Sequence, residues 1–180
     1  GDLGWELHCA ADDQVALYTA LLDAAQAHGG GPVGGRALGA LRIEKGYGSW
    51  GREYSPEYWP QEAGLHGLIK LDKDFLNKEA YLKISNTPPR ESLTMFEVDA
   101  TDNADANGGE PIFLADGTPV GRVTSGSYGY TVGKSLAIGY AREGVVRVGD
   151  KVEIFILGKP HAATVLDKPP FDAGGERLRA

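Results

Sequence analysis

Hydrophobic positions change period several times along this chain. Over residues 2–10, Leu3, Trp5 and Leu7 alternate with Glu6 and His8, and a period of two predicts a strand. Trp5 and Leu7 are then expected on a core face and Glu6 on the other. From Val15 through Tyr18, Leu21, Leu22 and Ala25 the spacing is helical, with Asp12 or Asp13 placed to cap the start and Gly29 the end. A second helix is expected over 34–45, with Leu38, Leu41 and Ile43 apolar and Gly46 closing it. Residues 47–66 are aromatic and turn-rich and read as an ordered, packed loop. A strand over 65–71 and a short helix capped by Asp74, running to about Lys83, complete this part.

The pattern changes at Ser85-Asn86-Thr87-Pro88-Pro89-Arg90, because proline ends helices and favours extended chain. This predicts two domains, 1–87 and 88–180. Residues 92–100, 111–115, 118–124, 134–141, 150–157 and 160–167 read as strands. Asp116-Gly117 is expected as a two-residue hairpin turn with Gly117 at positive φ, and Gly158-Lys159 as the last turn. Short strands without intervening helices indicate a small β-barrel or sandwich. The fold class is therefore α+β.

Composition narrows the functions. A hydrophobic content of 42% supports a real core, and a net charge of -7 leaves no basic excess for nucleic acid. No apolar run approaches the ~20 residues that span a bilayer. Residues 1–10 show neither a basic nor a long apolar region, so no secretory leader is expected, and the expected setting is the cytoplasm. The chain opens almost directly on its first strand pattern, which suggests a segment of a larger domain. The single cysteine, Cys9, excludes an internal disulfide and reads as a small buried residue.

Local motifs offer little chemistry. Gly29-Gly30-Gly31-Pro32-Val33-Gly34 fits a dinucleotide-binding spacing, but it follows a helix and Pro32 lacks a donor, so it reads as a turn between helices. His8, His28, His66 and His161 show no metal-ligand spacing, and no metal is expected. Glu6, taken alone, is either a solvated residue or a carboxylate able to accept two parallel hydrogen bonds from a guanidine-like edge. Arg36, in the first turn of the second helix, either pairs with an acid or serves an anionic ligand. Arg42 and Glu44-Lys45 read as ordinary pairs on a helix face.

Six motifs carry a resemblance. In order they are Gly1-Asp2-Leu3-Gly4-Trp5-Glu6-Leu7, Ala40-Leu41-Arg42-Ile43-Glu44-Lys45-Gly46-Tyr47, Glu62-Ala63-Gly64-Leu65, Asp74-Phe75-Leu76-Asn77-Lys78-Glu79-Ala80, Thr124-Ser125-Gly126-Ser127-Tyr128-Gly129-Tyr130 and Lys134-Ser135-Leu136-Ala137-Ile138-Gly139-Tyr140-Ala141. Together they resemble the C-terminal part of the glycine-cleavage T-protein (aminomethyltransferase) fold, and within it the folate-binding region of dimethylglycine and sarcosine dehydrogenases. The resemblance implies tetrahydrofolate as cofactor. Glu6 would hold the pterin edge, Trp5 and Tyr47 would supply aromatic walls, and Arg36 would lie near the folate. It implies no catalytic residue here, since the family's catalytic aspartate belongs to the earlier half of the domain.

The implied function is transfer of a one-carbon unit from a methylated amine to tetrahydrofolate. Its partners are the amine-derived intermediate and the N-terminal half of the same protein, with FAD in a further N-terminal domain. Rival readings are a folate-dependent O- or S-demethylase on the same fold and a non-catalytic folate-binding or interaction module. Trp59 and Gln61 depart from the family's Thr-Pro-Leu-Glu-Ala-Gly pattern, and Asn77 stands where Gly is common.

Overall fold

The computed structural model describes residues 4–100, 102 and 104–179. The helices are α1 (Gln14–Ala27), α2 (Gly35–Glu44), α3 (Lys78–Ser85) and the short α4 (Glu176–Arg179). The strands are β1 (Glu91–Val98), β2 (Pro111–Phe113), β3 (Pro119–Gly129), β4 (Lys134–Arg142), β5 (Lys151–Ile156) and β6 (Lys159–Leu166). They close an antiparallel barrel in the order β1-β4-β3-β2-β5-β6. The α+β expectation holds, with the sheet as a closed barrel.

Alternation explains the barrel wall. On β4, Ala137 and Ala141 join Phe96, Ile112 and Ile154 inside, while Leu136 and Ile138 point outward and meet Ile43 of α2. Every residue from Ser135 to Ala141 is buried, because α2 and the loop after it cover the outer face. That loop docks through aromatic stacking: the Tyr58 ring lies 3.5 Å from the buried Tyr140 ring at an interplanar angle of 5°.

Several local expectations need correction. Residues 4–10 pair with no strand among the described residues, and Trp5 and Leu7 are 85% and 55% exposed. Gly1–Leu3, including the expected core position of Leu3, lie outside the described residues. A closed barrel has no free edge, so it offers this segment no ladder. The expected strand over 65–71 is a 3-10 turn, His66–Leu68, for the same reason. Asp74 does not cap α3. The helix starts at Lys78 after Asn77, which is left-handed at φ 65, a conformation that Asn and Gly tolerate. Neither Asp12 nor Asp13 makes a capping hydrogen bond to α1. Cys9 is exposed.

Gly117 has positive φ (82°) as expected, but the loop is longer than two residues. Gly117 N donates to Leu114 O at 2.9 Å and Leu114 N to Thr118 O at 2.9 Å, leaving three residues between. The β5–β6 turn is Leu157-Gly158, one residue earlier than expected, with φ values of 50° and 78°. Leu is strained there and its side chain is 88% exposed, so it returns little by burial. Leu157→Asn is expected to stabilise the protein by about 1 kcal/mol, read as a raised urea midpoint. An unchanged or lowered midpoint would contradict that reading.

Candidate functional site

The sequence places Arg42 in the last turn of α2, and the fold gives it partners far along the chain. Its Nη1 donates to Tyr47 O at 3.0 Å and to Glu53 Oε2 at 3.2 Å. Its Nη2 donates to Ser125 Oγ at 2.7 Å, across to β3. Glu53 is fully buried and also accepts from Ser49 N (2.7 Å) and Thr124 Oγ1 (2.6 Å). Its backbone carbonyl accepts the Tyr140 hydroxyl at 2.8 Å. Burial pushes the Glu53 carboxyl up, but hydrogen bonds from Ser125, Thr124 and Ser49 with the Arg42 charge outweigh it and leave the group below its ordinary value. The carboxylate therefore stays ionised and pins the guanidinium.

The helix-face reading of Arg42, Glu44 and Lys45 is thus wrong. Glu44 is buried and accepts Thr131 N at 2.8 Å, and Lys45 bonds Asp172 near the C-terminus. Spacing of three or four could not reveal partners that lie up to 127 residues away.

Above this network lies a cleft of about 550 Å³ between α2 and β3. Arg36, Arg42 and Arg52 line it with Ser49, Asn107 and Ser127. Of the four residues expected at the folate pocket, only Arg36 is in this cleft. Tyr47 borders it through the Arg42 bond to its carbonyl; the residue is 41% exposed and its ring centre lies 5.9 Å from Lys45 Nζ. Glu6 and Trp5 stand elsewhere, on the extended segment 4–10. The Glu6 side chain is 91% exposed and, among the described residues, meets only His8, at 3.8 Å.

A second buried carboxylate joins the loop to β1. Glu62 accepts from Trp59 N (2.9 Å) and from Arg90 through N (2.9 Å), Nε (2.8 Å) and Nη2 (2.7 Å). The departures from the family pattern sit around this pair: the Arg90 guanidinium lies 4.8 Å from the Trp59 ring, and Gln61 Nε2 donates to Ile84 O of α3 at 2.9 Å. His161 is buried on β6, with Nε2 2.9 Å from Asp102. No group of three or more metal-ligating side chains occurs among the described residues, and none of their helices is long and apolar enough to cross a membrane.

The order of these parts matches two family models. The GCVT N-terminal domain matches residues 1–73, and the glycine cleavage T-protein C-terminal barrel domain matches 92–172. The chain belongs to the glycine-cleavage T-protein family. Within it, the chain is 41% identical over 171 residues to the mitochondrial dimethylglycine dehydrogenase of Mus musculus, which covers 94% of the chain and 19% of that protein. It is 34% identical over 171 residues to the aminomethyltransferase of Symbiobacterium thermophilum, covering 94% of the chain and 45% of that protein. The aminomethyltransferase of Bartonella henselae shares the T-protein fold at a TM-score of 0.77 and 24% identity, over 88% of the chain and 44% of that structure. The chain thus spans less than half the length of these relatives.

Three of the family motifs also explain contacts above. Thr124 and Ser125 of the fifth motif hold Glu53 and Arg42, Tyr140 of the sixth stacks on Tyr58, and Glu62 of the third binds Arg90.

Proposed function

We propose that this chain is the folate-binding segment, residues 1–87, and C-terminal barrel, residues 88–180, of a tetrahydrofolate-dependent aminomethyltransferase-type protein. Its parent passes a one-carbon unit from a methylated amine to tetrahydrofolate, as a dimethylglycine or sarcosine dehydrogenase would. The reading rests on the two family models matching in order along one chain.

The exposure of Glu6 and Trp5 supports the reading. Glu6 offers both carboxylate oxygens to an incoming donor edge, being almost fully exposed and, among the described residues, engaged only with His8. Trp5 beside it presents an indole that is 85% exposed, a face on which a flat ring can stack. Tyr47 and Arg36, which stand apart from Glu6 and Trp5 at the α2–β3 cleft, are the other two proposed contacts. Tetrahydrofolate supplies the nitrogens, N5 and N10, that receive the carbon. The chain's part is orientation: a clamp at the pterin edge sets which atoms face the donor.

The flavin of such a parent falls to another part of the protein. Two glycine-rich stretches have the spacing, 29–34 and 46–51; each follows a helix, α1 and α2, and neither belongs to a phosphate-binding strand–helix unit. The rest of the folate domain is the proposed cover for an exposed apolar surface. α1 contains no buried residue, and Val15, Tyr18, Leu21, Leu38 and Leu41 are all exposed. The proposed setting is cytoplasmic, since a lone exposed thiol suits a reducing compartment, although the mouse relative is named mitochondrial.

In the intact parent, Glu6→Gln replaces one acceptor oxygen by a donor at the pterin edge. It is expected to weaken folate binding by roughly 10- to 150-fold. Oxidation of the amine should stay unchanged. Calorimetry giving equal dissociation constants for the parent and the variant would remove Glu6 from the pocket.

A further inference from the structure

We propose that the cleft between α2 and β3 is an oxyanion site for a small ligand with two or more carboxylate or phosphate groups. The chain carries a net charge of -7, yet this cleft is lined by Arg36, Arg42 and Arg52 and, among the described residues, by no Asp or Glu. Its sign is opposite to that of the molecule, and a concave, low-dielectric wall concentrates that field.

Each arginine has a distinct part. Arg42 is the fixed floor: Glu53 offsets its charge, and Ser125 and Tyr47 O set its plane. Arg36 makes no hydrogen bond or ion pair with any described residue, so its full fork is open. Among the described residues Arg52 uses only Nη1, which donates to Asn107 O at 3.2 Å. Two uncompensated guanidinium groups beside a third repel one another unless an anion lies between them.

The helix adds to this. Arg36 sits in the first turn of α2, where the Gly34 N-cap gives no side-chain bond and no acidic residue offsets the dipole. A cation is unfavourable at that end, and an anion is favoured there by both the free N–H groups and the Arg36 charge. The opposite wall is rigid: a Cβ on Gly126 would stand 2.4 Å from Ala106 O, so β3 and the segment before β2 are in backbone contact. Hydroxyl and amide donors from Ser49, Ser127 and Asn107 surround the guanidinium groups. Planar forks with several added donors select multivalent oxyanions over halide.

The test titrates the 180-residue chain with pyrophosphate and with citrate by calorimetry at low salt. Saturable one-site binding of either is expected, and the tighter of the two assigns the phosphate or the carboxylate class. Arg36→Gln and Arg52→Gln should each weaken it about tenfold or more. Arg147→Gln removes the same charge from an exposed position outside the cleft and should leave affinity unchanged. No saturable binding of either anion, or an equal loss with Arg147→Gln, overturns the site. Glu6→Gln leaves anion binding intact, so failure of the folate reading and failure of this one are distinguishable.

Discussion

Glu62→Ala is expected to lower stability by about 3 kcal/mol, visible as a large fall in the urea midpoint at neutral pH. Glu62 is 1% exposed, and four donors converge on it: Trp59 N and three nitrogens of Arg90. Removing the carboxylate leaves two backbone N–H groups without acceptors and opens a space beneath the Trp59–Arg90 stack. The figure is the low end for a broken buried pair because the Arg90 side chain is 55% exposed and water can reach its charge. A midpoint within error of the unmodified protein would mean that the loop does not depend on this carboxylate.

The same group sets an acid limb. The Arg90 hydrogen bonds, against the opposing cost of burial and with help from Trp59 N, hold the Glu62 carboxyl at about 2, below its ordinary 4.5. The folded state thus binds the proton more weakly than the unfolded chain does. The stabilisation is complete above pH 4.5 and is lost as pH falls toward 2. Glu62→Gln should flatten the stability curve in that window, and a denaturation series in steps of pH reads it directly. A variant with the same slope as the parent between those values would assign the acid limb to other carboxylates.

Gly121→Val is expected to destabilise the barrel by about 3 kcal/mol or to prevent its closure. Gly121 faces Ala141 across the β3–β4 ladder, and any Cβ there would stand 2.1 Å from Tyr140 O and 2.9 Å from Ala141 Cα. Both are backbone atoms, so no side-chain rotation relieves the overlap. Gly139 makes the reciprocal approach, with its Cβ position 2.4 Å from Arg122 O. The two glycines lie beside the register shift between Val123 and Ser125, where the sheet bends. Gly117→Val, at an open turn, serves as the comparison: it suffers only from its positive φ, with nothing within 4 Å of the Cβ position. Equal losses at the two positions would show that close backbone approach is not what makes Gly121 sensitive.

Periodicity by itself determined the barrel strands, each to within a few residues, apart from the longer second half of β3. An alternating strand buries one face whatever its neighbours are, so the pattern of residues 92–100 or 150–157 is sufficient to place it. The α1 and α2 spans followed equally from spacing and from Gly29 and Gly46, whose left-handed φ values of 76° and 71° end those helices. The motifs, taken in order, also named the family.

Only the tertiary structure decided where the polar groups go. The alternation of Trp5, Glu6 and Leu7 is as regular as that of β1, yet the segment is unpaired, because a closed barrel has no edge to lend it. Glu53 and Glu62 lie in a loop segment rich in tyrosines and prolines. They are buried because several donors meet them: Glu53 accepts from Arg42, Ser49 N and Thr124, and Glu62 from three nitrogens of Arg90, 28 residues away, and no local pattern encodes such a meeting. Arg36 and Arg52 share a cleft only because α2 lies across β3. A sequence determines which faces must be buried, since burial depends on period. Which charges then meet depends on how the buried faces stack, and that is settled only when the chain closes.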